Sequence, residues 1–171
     1  MVCSKLIAQH AVAFLVVAIA STPAGVLAQA ANPAQGERAP YSLAITPRSL
    51  SVTAGDAVWV EAKITNVSDH AVLVYRAISE DMDQGGWVYG VDVRDEKGNQ
   101  APQTKYALSI GVGGSGGYLR LDPGQAMTHS INVSKLYDLS RGHKYTIQLR
   151  RLDEETKAFV MSNKVTVTVT R

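Results

Sequence analysis

The constraint that governs this chain is a two-residue period. From Tyr41 to the C-terminus apolar residues recur at alternate positions in short runs separated by turn residues. Only extended backbone presents alternate side chains to one side, so the pattern is that of half-buried strands. "AVWVEAKITN" is the clearest run: Val58, Val60, Ala62 and Ile64 share one face, and Trp59, Glu61, Lys63 and Thr65 share the other. "YSLAIT" and "SLSVTAGD" precede it. After the turn "NVSDH" come "AVLVYRAI", the acidic loop "SEDMDQGG", "WVYGVDVRD" and the turn "EKGN", where Gly98 and Asn99 can take positive φ. "KYALSI", the loop "GVGGSGG", "YLRL", the turn "DPGQ", "AMTHSINV", "YTIQLRRL", a short "AFVM" and "KVTVTVT" complete the chain. No segment carries apolar residues at i, i+3, i+4 and i+7 over a useful length. The expectation is an all-β domain, a two-sheet antiparallel β-sandwich of about 8–9 strands.

The first residues have a different character. Lys5 is followed by the uncharged run "LIAQHAVAFLVVAIA" and then by "STPAGVLAQA", with small residues where a signal peptidase reads. That apolar run is shorter than the roughly 20 residues of a comfortable membrane span. Residues 1–28 are therefore expected to be a signal peptide, cleaved after Ala28 or Ala30, and 29–40 a flexible tether before the domain at 41–171. Secretion, or delivery to the periplasm, follows, without stable membrane insertion.

Cys3, the single cysteine, lies inside this leader, so the mature chain has no thiol nucleophile, disulfide or cysteine-ligated metal. A cut after Ala28 leaves 171 − 28 = 143 residues, enough to bury a core without disulfides. Removing Lys5 leaves 16 basic residues against 15 acidic ones, and they are scattered. Near-neutrality argues against a nucleic-acid partner, which calls for clustered Lys and Arg.

"LYDLSRGHKYTIQLRR" combines an interrupted polar stretch with a clean strand in which Tyr145, Ile147, Leu149 and Arg151 alternate with Thr146, Gln148 and Arg150. The spacing of Leu139, Gly142 and Tyr145 resembles the corner between the fifth and sixth strands of immunoglobulin and fibronectin type III sandwiches. That resemblance implies a leucine plugging the core, a glycine permitting the turn, and a tyrosine whose hydroxyl bonds back to upstream backbone. Ile147 stands where bridged immunoglobulin domains carry cysteine, which favours a disulfide-free relative. The order "ITNVSDHAV", "VYGVDVRDEKGNQ", "LRLDPGQAMTHSINV" and "SNKVTVTV" resembles small secreted bacterial immunoglobulin-like proteins of uncharacterised function. More distantly, it resembles BsuPI-type proteinase-inhibitor domains. These motifs are turn chemistry and alternation, and they specify fold more than function.

Candidate chemistry is sparse. The mature chain has three histidines, His70, His129 and His143, no G-x-S-x-G, and no H-E-x-x-H or C-x-x-C pair. No catalytic residue and no cofactor are expected. "DMDQGGWVYGVD" places Asp81, Asp83 and Asp92 at calcium-loop positions, but Gly85 falls where a ligand belongs and Asp92 replaces the closing Glu. Glu80, Asp81 and Asp83 are the weak metal candidates, and a solvated acidic loop is the better reading. "GVGGSGG" lacks the Lys and the helix of a phosphate loop. Trp87, Tyr89, Gly113, Ser115 and Tyr118 are the candidate partner-contact residues, because end loops of sandwiches carry recognition. Trp59 faces outward by parity, with an inward placement left open. Asn66 and Asn132 each begin an "NVS" acceptor sequence, read here as turn or strand residues.

The sequence therefore points to a monomeric, non-enzymatic exported module that binds a protein or glycan through end loops or a sheet edge. A proteinase inhibitor, a calcium-dependent adhesion module and a small enzyme are the alternatives.

Overall fold

A computed structural model describes residues 39–77, 88–109, 116–141 and 143–171. One sheet comprises β1 (Tyr41–Pro47), β3 (Trp59–Asn66) and β7 (Ala126–Asn132), antiparallel in that order. Its registers align Ile45 with Ala62 and Ala62 with His129, so these side chains point to one side. That side is the core, where Val60, Ala62 and Ile64 have no exposed surface. The alternation in "AVWVEAKITN" is thus the burial pattern itself.

The second sheet has the order β2 (Ser51–Thr53), β9 (Phe159–Thr170), β8 (Lys144–Leu152) and β5 (Gly90–Asp95). Its inward row includes Tyr145, Ile147, Leu149 and Arg151 on β8 and Val167 and Val169 on β9, all buried. β2 pairs parallel to β9, unlike the antiparallel pairs around it. The reason is a sheet switch: after Pro47, and a last bond from Arg48 N to Trp59 O at 3.0 Å, the chain crosses to the other layer without reversing.

A register shift between Gln148 and Arg150 marks a bulge where β8 meets β9. Ser162 Oγ accepts from Leu149 N at 2.9 Å. Asn163 then turns its amide to the edge of β1, accepting from Ile45 N at 2.7 Å and donating to Ile45 O at 3.0 Å. A bulge re-aims a side chain, and this one ties the two layers together. The buried faces of the layers form one core, the all-β sandwich expected, with nine strands among the described residues.

Three features lie outside the sequence reading. β4 (Val72–Ala77) and β6 (Gly116–Leu121) form a separate two-stranded antiparallel ribbon instead of joining either sheet. The D-P-G-Q turn, with Gly124 at φ 77°, leads from β6 into β7. "KYALSI" contributes α1 (Lys105–Ser109), and α2 (Val133–Leu136) follows β7. Both helices are too short to show a helical apolar repeat. "AFVM" and "KVTVTVT" belong to one strand, β9. In the "EKGN" turn only Gly98 has positive φ, and Asp95 Oδ1 accepts from the backbone N–H groups of Lys97 and Asn99.

Candidate functional site

β8 carries the least ordinary residue of the core. Arg151 continues the inward row of Ile147 and Leu149 and is 4% exposed. Its Nη2 donates to the carbonyl of Tyr75 on β4. The guanidinium carbon stands 5.2 Å from the ring centroid of Tyr89, a cation–π geometry. Nη1 is buried and has no hydrogen-bond partner among the described residues.

Around Arg151 the fold assembles further polar groups from four elements. Tyr89, just before β5, pairs its hydroxyl with Nδ1 of His129 on β7 at 2.8 Å, their rings edge to face at 5.8 Å. His129 points inward because it shares the register row of Ala62. Burial, Arg151 and Arg76 together push its pKa down to about 4, so it is neutral at pH 7. Tyr41, at the start of β1, donates to Leu152 O at 3.2 Å, and burial pushes its hydroxyl up to about 12. Burial likewise raises Tyr89. Asp153, two residues beyond Arg151, is buried too, but its Oδ2 accepts from the backbone N–H and hydroxyl of Thr156 and closes the following turn. This is a buried polar corner where both sheets and the ribbon meet.

The outer face of the ribbon is different in kind. Tyr75 and Tyr118 are register partners, as are Leu73 and Arg120, so all four share that face. Tyr118 is 62% exposed and Leu73 60% exposed. The two tyrosine rings meet edge to face at 5.5 Å. Arg120 is held by Asp122 at 3.0 Å. Gly116 leaves room for the ring of Tyr75, which any β-carbon there would strike. At one end of the sandwich, Val58, Tyr137, Leu139 and Val169 floor a cleft of about 220 Å³ with Asp56 and Asp138 also in its wall.

Of the residues singled out in the sequence, Tyr118 lies exposed on β6. Tyr89, expected at a contact surface, is 2% exposed and is corrected to an interior residue: the chain entering β5 turns its ring under Arg151. Tyr145 is buried and its hydroxyl donates to Arg141 O at 2.9 Å, while Leu139 is buried at the same corner. Trp59 is half-buried on the outer face, with Arg48 stacked on it at 4.7 Å. Asn66 is buried, its amide donating to the carbonyls of His70 and Leu121 and its oxygen accepting from Ser68. Asn132 is buried as well. Glu80, Asp81, Asp83, Trp87, Gly113, Ser115 and Gly142 lie outside the described residues. Among the described residues, no three His, Cys, Asp or Glu side chains gather as metal ligands would. The sequence reading did not single out Arg151 or His129 as a site. The available signal was an arginine and a histidine at inward positions of apolar rows.

No protein-family model and no curated protein matches this chain. Among solved structures, a β-glucosidase from Erythrobacter marinus aligns at TM-score 0.40 and 13% identity, covering 76% of this chain and 15% of that one. A Listeria innocua β-glucosidase bound to isofagomine aligns at 0.42 and 13% identity, covering 77% and 16%. A CARDB domain from Pyrococcus furiosus aligns at 0.36 and 13% identity, covering 77% and 94%. The chain thus spans a small fraction of the two glucosidases. These are partial geometric likenesses, and none bears on what the chain does.

Proposed function

We propose that this chain is an exported, non-enzymatic binding module that recognises a protein or glycan through the aromatic face and open edges of the β4–β6 ribbon. The observation that carries the reading is the exposed pair Tyr118 and Leu73 beside the edge-on ring of Tyr75. Tyrosine offers a broad apolar face with a polar tip, suited to stacking on a sugar ring or anchoring a protein contact. Each ribbon strand pairs only with the other among the described residues, which leaves backbone groups that can accept a partner strand. The apolar leader and its small-residue cleavage positions support export.

The test is immobilisation of the purified protein and of its Tyr118→Ser/Leu73→Ser variant, each challenged with a glycan array and with envelope and secreted fractions of the source cells. A ligand retained by the parent and lost by the variant, with unchanged melting, supports the reading. Equal retention by both would refute the ribbon face as the contact.

A further inference from the structure

The ribbon shares no backbone ladder with either sheet among the described residues. Its inner side chains and a few hydrogen bonds hold it down. Val72, Val74 and Leu121 are buried beneath it. Asn66 Nδ2 donates to Leu121 O at 2.9 Å, and Arg151 Nη2 donates to Tyr75 O. The second of these bonds belongs to the polar corner.

His129 is central to that corner. Tyr89, preceding β5, faces it at 2.8 Å; Arg151 faces it from β8 and Arg76 from β4. Tyr41 of β1 lies in the same electrostatic field, interacting with Arg151, Tyr89 and Asp153. Among the described residues no carboxylate forms an ion pair with Arg76 or Arg151. The buried acid, Asp153, is committed to Thr156. A proton on His129 would therefore create a third cation near buried Arg151 and exposed Arg76, the two charges that act on its ring, while Asp153 acts on Tyr41 at the other side of Arg151. In the tautomer whose Nδ1 accepts the Tyr89 hydroxyl proton, protonation turns Nδ1 into a donor, and Tyr89 must rotate its hydroxyl to accept.

We propose that this corner is an acid-operated latch: protonation of His129 fixes Nδ1 as a donor to Tyr89, pushes against Arg151 and Arg76, and releases the β4–β6 ribbon while both sheets stay folded. The ribbon yields first because of how it is attached. His129 sits on β7, which is held by seven register pairs to β3, whereas among the described residues the ribbon's hydrogen bonds to the sheets run through the side chains of Asn66 and Arg151. The depression of the His129 pKa to about 4 sets release in the acid range. Opening would uncover Tyr89 and Arg151, a cation and an aromatic ring that are shut away at neutral pH.

Hydrogen exchange of the full chain between about pH 7 and about pH 3.5, corrected for the intrinsic effect of pH on exchange, tests this directly. Amides of 72–77 and 116–121 should lose at least roughly tenfold in protection at the acid end, while those of 60–64 and 145–149 keep theirs. His129→Gln, which cannot take the proton, should hold the ribbon closed across the range, and His129→Asn serves if the first variant folds poorly. Simultaneous loss of protection in ribbon and sheets would overturn the proposal in the parent protein alone. So would ribbon opening at the same pH in a folded His129 variant.

Discussion

Tyr145 and Arg151 occupy one inward row of β8 and show two outcomes of placing a polar tip in a core. Tyr145 buries its ring and spends its hydroxyl on Arg141 O at 2.9 Å, so Tyr145→Phe removes one hydrogen bond and little else. The expected loss is about 0.5–1.5 kcal/mol in urea unfolding, against about 2–5 kcal/mol for Leu149→Ala, which opens a cavity. An unchanged urea midpoint for Tyr145→Phe would show that the bond contributes nothing. Arg151 buries a charge with one unpartnered nitrogen, an arrangement whose desolvation cost offsets its attractions. Arg151→Met keeps most of the volume and sheds that cost. Its unfolding free energy at pH 7 should stay within about 1 kcal/mol of the parent or exceed it, while Arg151→Ala falls by about 2–4 kcal/mol. A Met variant as unstable as the Ala variant would mean that the charge itself is stabilising. Alternation placed Arg151 on the row of Ile147 and Leu149, and the motif at Leu139 and Tyr145 pointed to a hydroxyl bonded upstream. Alternation is blind to partners from distant strands, so the contacts with Tyr75, Tyr89 and His129 were not legible.

At the scale of elements, turns and bulges do more than connect. Pro123 and Gly124 form the bend from β6 to β7, with Gln125 N donating to Asp122 O at 2.9 Å. With φ at 77°, Gly124 sits where a β-carbon is strained, and Gly124→Ala should cost about 1–2 kcal/mol. Thermal melting checks this against Pro123→Ala, for which no such strain arises. The Asn163 bulge is the other case. Asn163→Leu leaves both Ile45 N and Ile45 O without their side-chain partner, and about 1–3 kcal/mol should be lost. A loss well below that range would show that water replaces the amide at the edge of β1. Strand positions were readable because each depends on local period. The joining of "AFVM" to β9 was not, since Asn163 interrupts the apolar rhythm for the sake of a contact 118 residues away in the chain. The separation of the ribbon was equally hidden, being a matter of how whole strands divide between layers.

The whole molecule should record the polar corner in its stability against pH. His129 has its folded pKa at about 4, below the ordinary histidine value of 6.5, so folding favours the neutral ring. Its contribution is fully present above about pH 6.5 and is lost as pH falls towards 4. Carboxylates act lower: Asp95, Asp138 and Glu61 are each depressed, chiefly by side-chain hydrogen bonds from Asn99, Ser140 and Arg48. Their contribution is present above the ordinary carboxylate range and disappears beneath it. The two windows separate the causes. Urea midpoints should already decline between about pH 6 and pH 4.5 in the parent, before carboxylates titrate appreciably. His129→Gln should be flat over that interval and fall only below it. A parent curve flat to pH 4.5 would mean that His129 is solvated well enough to take its proton in place, and the inward histidine would then be an ordinary edge-strand residue.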